Sequence, residues 1–159
     1  MKKQILFVCL GNICRSPAAE SVFACLIQKQ GLVNKYHIDS AGTGAWHVGS
    51  QADSRMKDAA KKRGIVIESI ARQITLDDLH KFDLILTMDN ENLSTVIALA
   101  KELDSTLTSK IKPILSYSSN AQLMDVPDPY YGGEKGFEKV LDLLEDACEG
   151  LLKDLSVKN

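Results

Sequence analysis

The chain has 159 residues, of which 45% are hydrophobic and 25% are charged, and its formal net charge is -2. This length predicts a single domain, residues 1–159, with a core large enough to need no disulfide or metal to hold it together. The near-neutral charge gives no general attraction to nucleic acid or to an anionic membrane, so we expect neither as a partner and expect any anion site to be local.

The first residues resemble an export signal only superficially. Lys2 and Lys3 precede an apolar run from Ile5 to Leu10, but this run is shorter than a signal peptide requires and no small-residue cleavage site follows it. No segment approaches the roughly 20 apolar residues of a transmembrane helix. We therefore expect a cytoplasmic protein whose four cysteines are reduced thiols rather than a disulfide framework.

Short apolar runs alternate with amphipathic segments along the chain. The apolar runs predict buried strands at residues 4–8, 35–41, 82–88 and 111–115, the last at a sheet edge because it contains Pro113. Helical spacing of apolar residues predicts a helix from Pro17 to Gly31 with Ser16 as its N-cap, and further helices at residues 53–63, around 93–100 and at 137–155. This order predicts an α/β fold: an open, mostly parallel, four-stranded sheet with helices on both faces.

The segment "VCLGNICRSP" joins the first strand to the first helix and is the strongest candidate for a phosphate-binding loop. Backbone amides from Leu10 to Arg15 can turn inward as a nest, and the first N–H groups of the helix point the same way. Arg15 adds a planar fork that can hold two phosphate oxygens. Because such positive surroundings favour a thiolate, we expect Cys9 to be a nucleophile that faces the bound phosphate.

Other readings of this loop fit less well. It lacks the lysine of a nucleotide-binding P-loop and the glycine pattern of a dinucleotide site. A zinc site needs further ligands that lie close together in the sequence. The remaining cysteines and the histidines do not have this spacing: Cys25, Cys148, His37, His47 and His80. We read these histidines as structural unless His47 lines the cleft. The non-catalytic alternative for the loop is a pair of buried cysteines in a tight turn.

A second segment, "MDVPDPYYGGEKG", is the candidate source of a proton for a leaving oxygen. Asp125 and Asp128 are the two carboxylates available for general acid catalysis. Tyr130 and Tyr131 can form the walls of a slot for a flat ring. The structural alternatives are that the aspartates start turns and that the tyrosines pack on the adjacent glycines.

Taken together, "VCLGNICRSP" and "DPYY" resemble the low-molecular-weight protein tyrosine phosphatase family. The segments "DSAGTGAWHVG", "ADSR", "ARQIT" and "MDNENL" are similar to that family in the same order, so the resemblance covers nearly the whole chain. It implies an enzyme without metal or other cofactor that hydrolyses phosphotyrosine in proteins, or small aryl phosphates, through a cysteinyl-phosphate intermediate. We expect a monomer, with weak dimerisation as the alternative.

The resemblance also implies roles for individual residues. Cys9 is the nucleophile, Arg15 stabilises the equatorial phosphate oxygens and Asp128 is the general acid. The rest of the loop holds the phosphate: Leu10, Gly11, Asn12, Ile13, Cys14 and Ser16. Three aromatic residues contact the substrate: Trp46, Tyr130 and Tyr131.

Supporting roles follow from the same resemblance. Asn12 holds the strained shape of the loop, Ser16 bonds to the Cys9 sulfur, and Ser40 buttresses Asn12. Asp89 is a supporting carboxylate. Cys14 matches a cysteine that can pair with the nucleophile under oxidation.

One departure is visible. Ser69 stands where many members have a histidine in the network around the asparagine, so we expect that network to be built differently here and the core chemistry to be retained. Whether Cys9 and Cys14 form a regulatory disulfide, and whether Tyr130 or Tyr131 is phosphorylated, the sequence leaves open.

Three rival functions fit the fold. An arsenate reductase needs further cysteines near the third strand, and "LTMDNENLSTVIA" has none. A sugar-transport phosphocarrier has no use for a leaving-group acid. A phosphotyrosine-binding module without turnover has no use for the complete set of reacting residues.

Overall fold

The computed structural model describes residues 1–120 and 122–158 and contains one four-stranded sheet. The strands are β1 (Lys3–Cys9), β2 (Tyr36–Gly42), β3 (Leu84–Thr87) and β4 (Ile111–Pro113). They lie in the order β2-β1-β3-β4 and every pair is parallel, which confirms the predicted open sheet. β4 lies at the edge of the sheet, as predicted. Pro113, which has no backbone N–H, therefore removes no hydrogen bond from the interior of the sheet.

Five α-helices cover the sheet in the described part of the chain: α1 (Arg15–Lys29), α2 (Ser54–Lys61), α3 (Leu76–Lys81), α4 (Asn90–Leu103) and α5 (Gly133–Val157). Ile5 and Phe7 of β1 pack in a core cluster with residues of α1, α2 and α5. Leu6 and Val8 point to the other face and pack with residues of α3 and α4. The sheet is therefore covered on both sides, as its continuous apolar strands predict.

The longest helix, α5, behaves as its periodicity predicts. All eight residues of its predicted apolar stripe are buried: Phe137, Val140, Leu141, Leu144, Cys148, Leu151, Leu152 and Leu155. Its remaining positions are largely charged or polar. Within residues 1–120 and 122–158, no helix is both long enough and apolar enough to cross a bilayer.

The structure corrects the predicted start of α1. The helix begins at Arg15, two residues before Pro17, and Cys14 is its N-cap without a side-chain capping bond. Ser16 is fully buried in the first turn rather than serving as the N-cap, because its hydroxyl contacts the Cys9 sulfur. Gly31 follows the end of the helix, as predicted.

Three further differences concern short elements. α3 was not predicted, and β3 begins at Leu84 rather than Phe82 because Phe82 ends that helix as its C-cap. β4 stops at Pro113, since Ile114 and Leu115 turn into a 3₁₀ turn.

Candidate active site

The loop between β1 and α1 lies at the carboxyl end of the sheet and is held from outside. Three of its carbonyl oxygens each accept a hydrogen bond from a backbone N–H elsewhere: Cys9 from Thr43 (2.9 Å), Leu10 from Gly44 (2.9 Å) and Ile13 from Asp53 (2.8 Å). Because these carbonyls are engaged outward, the loop amides are free to face the space that the loop encloses.

The end of β2 makes this close approach of the loop possible. A Cβ atom on Gly42 would lie 2.7 Å from the Leu10 carbonyl oxygen and 3.2 Å from the Asn12 nitrogen. Only glycine leaves room for the loop backbone at this point. Sequence reasoning missed Gly42, and its only signal was a glycine at the end of a predicted strand.

The Cys9 sulfur lies at the base of the loop with 3% of the residue exposed. It accepts a hydrogen bond from the Asn12 backbone N–H at 3.3 Å and lies 3.0 Å from the Ser16 hydroxyl. Both contacts suit an anionic sulfur, which can accept from the amide and from the hydroxyl. The Ser16–Cys9 contact that the resemblance implies is therefore present.

Asn12 is the centre of a hydrogen-bond network behind the loop. Its φ is 57°, the left-handed region that asparagine adopts more readily than most residues. Its Nδ2 donates to Ser16 Oγ at 2.7 Å and to Ser40 Oγ at 3.0 Å. Its Oδ1 accepts from the Arg72 backbone N–H at 2.9 Å. The predicted Ser40 contact is confirmed, whereas the Arg72 contact was not foreseen.

The network continues from Ser40 to a carboxylate. The Ser40 hydroxyl donates to Glu20 Oε1 at 2.6 Å, and burial raises the pKa of Glu20 to about 7. Ser69, which replaces the histidine of many family members, is half-buried, and its side chain makes no hydrogen bond with a described residue. In this chain the far end of the asparagine network is therefore Glu20, another residue that sequence reasoning missed.

Arg15 is 5% exposed and is anchored by one edge of its guanidinium group. Its Nη1 donates to Asp89 Oδ2 at 2.7 Å and to the Val126 carbonyl at 3.1 Å. Burial disfavours the charged guanidinium, but the nearby Cys9 and Asp89 outweigh this effect and raise the pKa of Arg15. Both bonds to described residues use Nη1, which leaves Nε and Nη2 for a bound anion.

A cleft of about 320 Å³ opens above the loop and brings most of the predicted site residues together. It is lined by Cys9, Leu10, Gly11, Ile13, Cys14, Arg15, Trp46, His47, Asp53, Asp128 and Tyr130. Arg15 makes the lining basic at one point, Asp53 and Asp128 make it acidic at two others, and the remaining residues are mainly apolar or aromatic. This composition suits a phosphate at the base and a flat apolar group nearer the opening.

The two candidate acids occupy different positions. Asp128 lines the Cys9 cleft, and its Oδ1 accepts the Tyr130 backbone N–H at 3.0 Å. Asp125 does not line this cleft, and its Oδ1 accepts the Asn90 backbone N–H at 3.0 Å, at the start of α4. Of these two carboxylates, Asp128 is therefore the one that shares the cleft with Cys9 and Arg15.

Five predicted residues lie outside the cleft lining, among them Asp89, which accepts a hydrogen bond from Arg15. Asn12, Ser16 and Ser40 are buried behind the loop. Tyr131 is 88% exposed and packs edge-on against Tyr130, with the ring centroids 5.1 Å apart. The aromatic wall thus consists of Trp46 and Tyr130, while Tyr131 supports Tyr130 from outside.

The second loop cysteine differs chemically from a reactive thiol. Burial and the neighbouring Asp53 carboxylate raise the pKa of Cys14 to about 12, so its sulfur is protonated at neutral pH. All four cysteines of the chain are free thiols, as predicted.

Two more residues line the cleft. The sequence left the role of His47 open and did not indicate Asp53 as a site residue. His47 lines the cleft, with its ring against Gly11, where an added Cβ would lie 2.9 Å from the His47 Cδ2. Asp53 also lines the cleft and caps α2 through the Arg55 backbone N–H. The segment "ADSR" carried a helix-start signal, but nothing in its spacing indicated contact with the loop. Among the residues that the structure describes, no cluster of three His, Cys, Asp or Glu side chains is placed to bind a metal ion.

The chain is similar to known proteins over nearly its whole length. The family model for low molecular weight phosphotyrosine protein phosphatase matches residues 4–159. The low molecular weight protein-tyrosine-phosphatase YfkJ of Bacillus subtilis is 43% identical over 95% of this chain and 94% of its own length.

Solved structures give the same result. A protein tyrosine phosphatase from Entamoeba histolytica has a TM-score of 0.94 at 46% identity and covers 99% of both chains. A drosophila arginine phosphatase has a TM-score of 0.90 at 34% identity and covers 98% of both chains. With the family model, the relative and the fold in agreement, this chain belongs to the low molecular weight phosphotyrosine protein phosphatase family.

Proposed function

We propose that this chain hydrolyses phosphotyrosine in proteins, and small aryl phosphates, through a cysteinyl-phosphate intermediate. The observation that supports this proposal is that Cys9, Arg15 and Asp128 line one cleft. They supply a sulfur nucleophile, a cation for the phosphate oxygens and a carboxyl group for the leaving oxygen. Each is a group type that can promote phosphate-ester cleavage through a covalent intermediate.

In the first step, the Cys9 thiolate attacks phosphorus while the bond from phosphorus to the tyrosine oxygen breaks. Asp128, protonated at this stage, gives its proton to the departing phenol oxygen, so that no phenolate has to leave. The loop amides and the free edge of Arg15 bind the equatorial oxygens, where negative charge is concentrated in the transition state. The products are the phenol and a phosphocysteine.

In the second step, water attacks the phosphorus atom of the phosphocysteine. Asp128, now a carboxylate, takes a proton from this water, and the bond between sulfur and phosphorus breaks. The Ser16 hydroxyl, 3.0 Å from Cys9 Sγ, donates to the departing thiolate and lowers its basicity. Inorganic phosphate leaves, and the thiolate and the protonated acid are restored.

The proposed preference for an aryl group rests on the walls of the cleft. Leu10 and Ile13 contribute apolar surface from the loop, and Trp46 and Tyr130 contribute aromatic rings. Such walls suit the ring of phosphotyrosine. One structural neighbour is an arginine phosphatase, so phosphoarginine is the appropriate competing substrate, and we expect phosphotyrosine to be preferred over it.

The proposed chemistry has consequences for cofactor requirement, compartment and oligomeric state. The steps above use only side chains, loop amides and water, so we expect no requirement for an added metal ion. A thiolate nucleophile works in a reducing compartment, and we propose the cytoplasm as the location and a monomer as the working form.

Hydrolysis of p-nitrophenyl phosphate tests this function directly. We expect wild-type activity that persists in EDTA and disappears in Cys9→Ser, because a serine hydroxyl is not ionised at neutral pH. Cys25→Ser is the matched control, since Cys25 is a partly buried residue of α1 that lies outside the cleft, and it should retain full activity. A magnesium requirement, or full activity in Cys9→Ser, would contradict the mechanism.

A further inference from the structure

Arg55, at the start of α2, contacts three side chains near the cleft although it does not line the cleft itself. Its Nε donates to Asp53 Oδ1 at 3.1 Å and its Nη2 donates to Asp53 Oδ2 at 2.9 Å, which is a two-point pairing of guanidinium and carboxylate. The guanidinium carbon also lies 5.5 Å from the centroid of the Tyr130 ring and 4.9 Å from that of Phe137.

The carboxylate partner of Arg55 is fixed to the phosphate-binding loop. The Asp53 backbone N–H donates to the Ile13 carbonyl at 2.8 Å, and Asp53 lines the cleft. The bonds from Arg55 lower the pKa of Asp53, which keeps this carboxylate ionised. Through Asp53, the guanidinium group is therefore held at a fixed place relative to the loop.

The aromatic partners differ in how firmly they are held. Phe137 is 1% exposed and is anchored in the core by α5. Tyr130 is 63% exposed and lies on a 3₁₀ turn, Pro129–Tyr131. An exposed ring on a short turn can adopt several rotamers unless a neighbour restricts it. Tyr131, which also packs against this ring, is itself 88% exposed. The guanidinium group, which is held by Asp53 and Phe137, is therefore the more firmly fixed neighbour of the ring.

We propose that Arg55 is a positioning residue for substrate recognition: it connects the phosphate-binding loop to the Tyr130 ring and sets the distance between them. This inference rests on the proposed function, since it concerns how the same cleft receives an aryl group. Phosphate binding depends on the loop alone, whereas binding of an aryl phosphate also depends on the position of the ring. Loss of Arg55 should therefore weaken binding of the aryl part of the substrate and leave phosphate binding unchanged.

The test compares three variants with wild type. Arg55→Met keeps the aliphatic stem and removes the charge and the planar fork. Arg55→Lys keeps the charge without the fork. Lys57→Met is the matched control, because Lys57 is on the same helix, carries the same charge and donates to Gln51 Oε1 at 2.9 Å, away from the cleft. The measurements are kcat and KM for p-nitrophenyl phosphate and the inhibition constant of inorganic phosphate.

For Arg55→Met we expect KM to rise roughly three- to tenfold, which is the scale of losing one or two cation–π contacts. The value of kcat should stay within about twofold and the inhibition constant of phosphate should not change. Arg55→Lys should restore part of the loss, and Lys57→Met should match wild type. An unchanged KM, or an equal rise in KM and in the phosphate inhibition constant, would overturn the inference.

A readout that needs no turnover separates this inference from the proposed function. The ring resonances of Tyr130, followed by NMR with labelled tyrosine, should shift and sharpen towards free-ring behaviour in Arg55→Met and not in Lys57→Met. If wild type does not hydrolyse p-nitrophenyl phosphate, the proposed function fails. If the Tyr130 resonances are the same in Arg55→Met as in wild type, this inference fails, whatever the activity.

Discussion

Asn12 shows how much of the site depends on the choice of a single side chain. Its backbone has a positive φ of 57°, its amide nitrogen donates to two hydroxyl groups and its amide oxygen accepts a backbone N–H. Glycine would tolerate the backbone conformation but supplies no side-chain donor. Aspartate supplies only acceptors when ionised. Asparagine is the residue that meets both the conformational and the bonding requirements of this position.

At the same scale, Asp128 gives the sharpest test of the proposed chemistry. Asp128→Asn keeps the size of the side chain and removes the transferable proton, so we expect kcat to fall by roughly 10²–10⁴. The loss should be smaller for substrates whose leaving oxygen needs no protonation, because a good leaving group depends less on the acid. Steady-state kinetics with phenyl phosphate and with p-nitrophenyl phosphate measure both effects.

Asp125→Asn is the matched control for that measurement. Asp125 belongs to the same segment, but it accepts a bond from the Asn90 backbone and lies outside the cleft that holds Cys9. We expect only a small change in kcat for this variant. If Asp125→Asn shows the large loss and Asp128→Asn does not, the general acid has been assigned to the wrong carboxylate.

At the scale of elements, the site depends on how closely the end of β2 approaches the loop after β1. In Gly42→Ala, the new Cβ would lie 2.7 Å from the Leu10 carbonyl oxygen, which is backbone and cannot turn aside. The loop must therefore shift, and a displacement near 1 Å of a catalytic group can cost on the order of 10²-fold in rate. We expect kcat/KM for p-nitrophenyl phosphate to fall by about that factor.

Gly64→Ala is the control for this substitution. Gly64 has a positive φ of 76° but no atom within 4 Å of an added Cβ, and it lies just beyond the end of α2. Alanine there should lower the free energy of unfolding by about 1 kcal/mol through backbone strain, with kcat/KM unchanged. The Gly42 interpretation is wrong if the two variants lose activity to the same extent.

The elements that periodicity predicts best are those whose packing is regular over their whole length. β1 is a continuous apolar run and α5 keeps its apolar stripe over many turns, so both were predicted from local sequence. α3 has six residues, which is too short for a periodic pattern, and its start depends on a capping box between Thr75 and Asp78. That signal is present in the sequence but is easily missed without a hydrophobic period beside it.

The residues of the site also divide into those that the local sequence predicts and those that it does not. The loop residues Cys9 to Ser16 are contiguous, so their spacing and flanking elements indicated an anion site directly. The contacts of Asn12 with Arg72, of Ile13 with Asp53 and of Ser40 with Glu20 join residues that are far apart in the chain. No spacing rule relates such pairs, because they meet only once the parallel sheet is assembled. The resemblance to a family supplied Ser40, but Glu20 and Asp53 required the structure.

At the scale of the whole molecule, Glu20 connects the site to the pH dependence of stability. Burial is the main cause that raises its pKa from 4.5 to about 7, and the nearby Asp39 acts in the same direction. The bond from Ser40 and the charge of Arg72 act against these effects. Because the folded state holds the proton more tightly than the unfolded state, Glu20 contributes stability that is complete below about pH 4.5 and is lost as the pH rises towards about 7.

Glu20→Gln should remove this dependence, since glutamine does not titrate and can still accept from Ser40. We expect the free energy of unfolding of wild type, relative to this variant, to fall steadily between about pH 4.5 and pH 7 and to stay level above pH 7. Urea unfolding at several pH values measures the difference, and Glu102→Gln, at an exposed position of α4, should run parallel to wild type. A difference between wild type and Glu20→Gln that is constant across this range would mean that burial does not raise the pKa of Glu20 in the fold. If the difference instead grew as the pH rose towards about 4.5 and was level above it, the Ser40 bond and Arg72 would together outweigh burial, and the network behind the loop would be held by an ionised rather than a protonated carboxyl group.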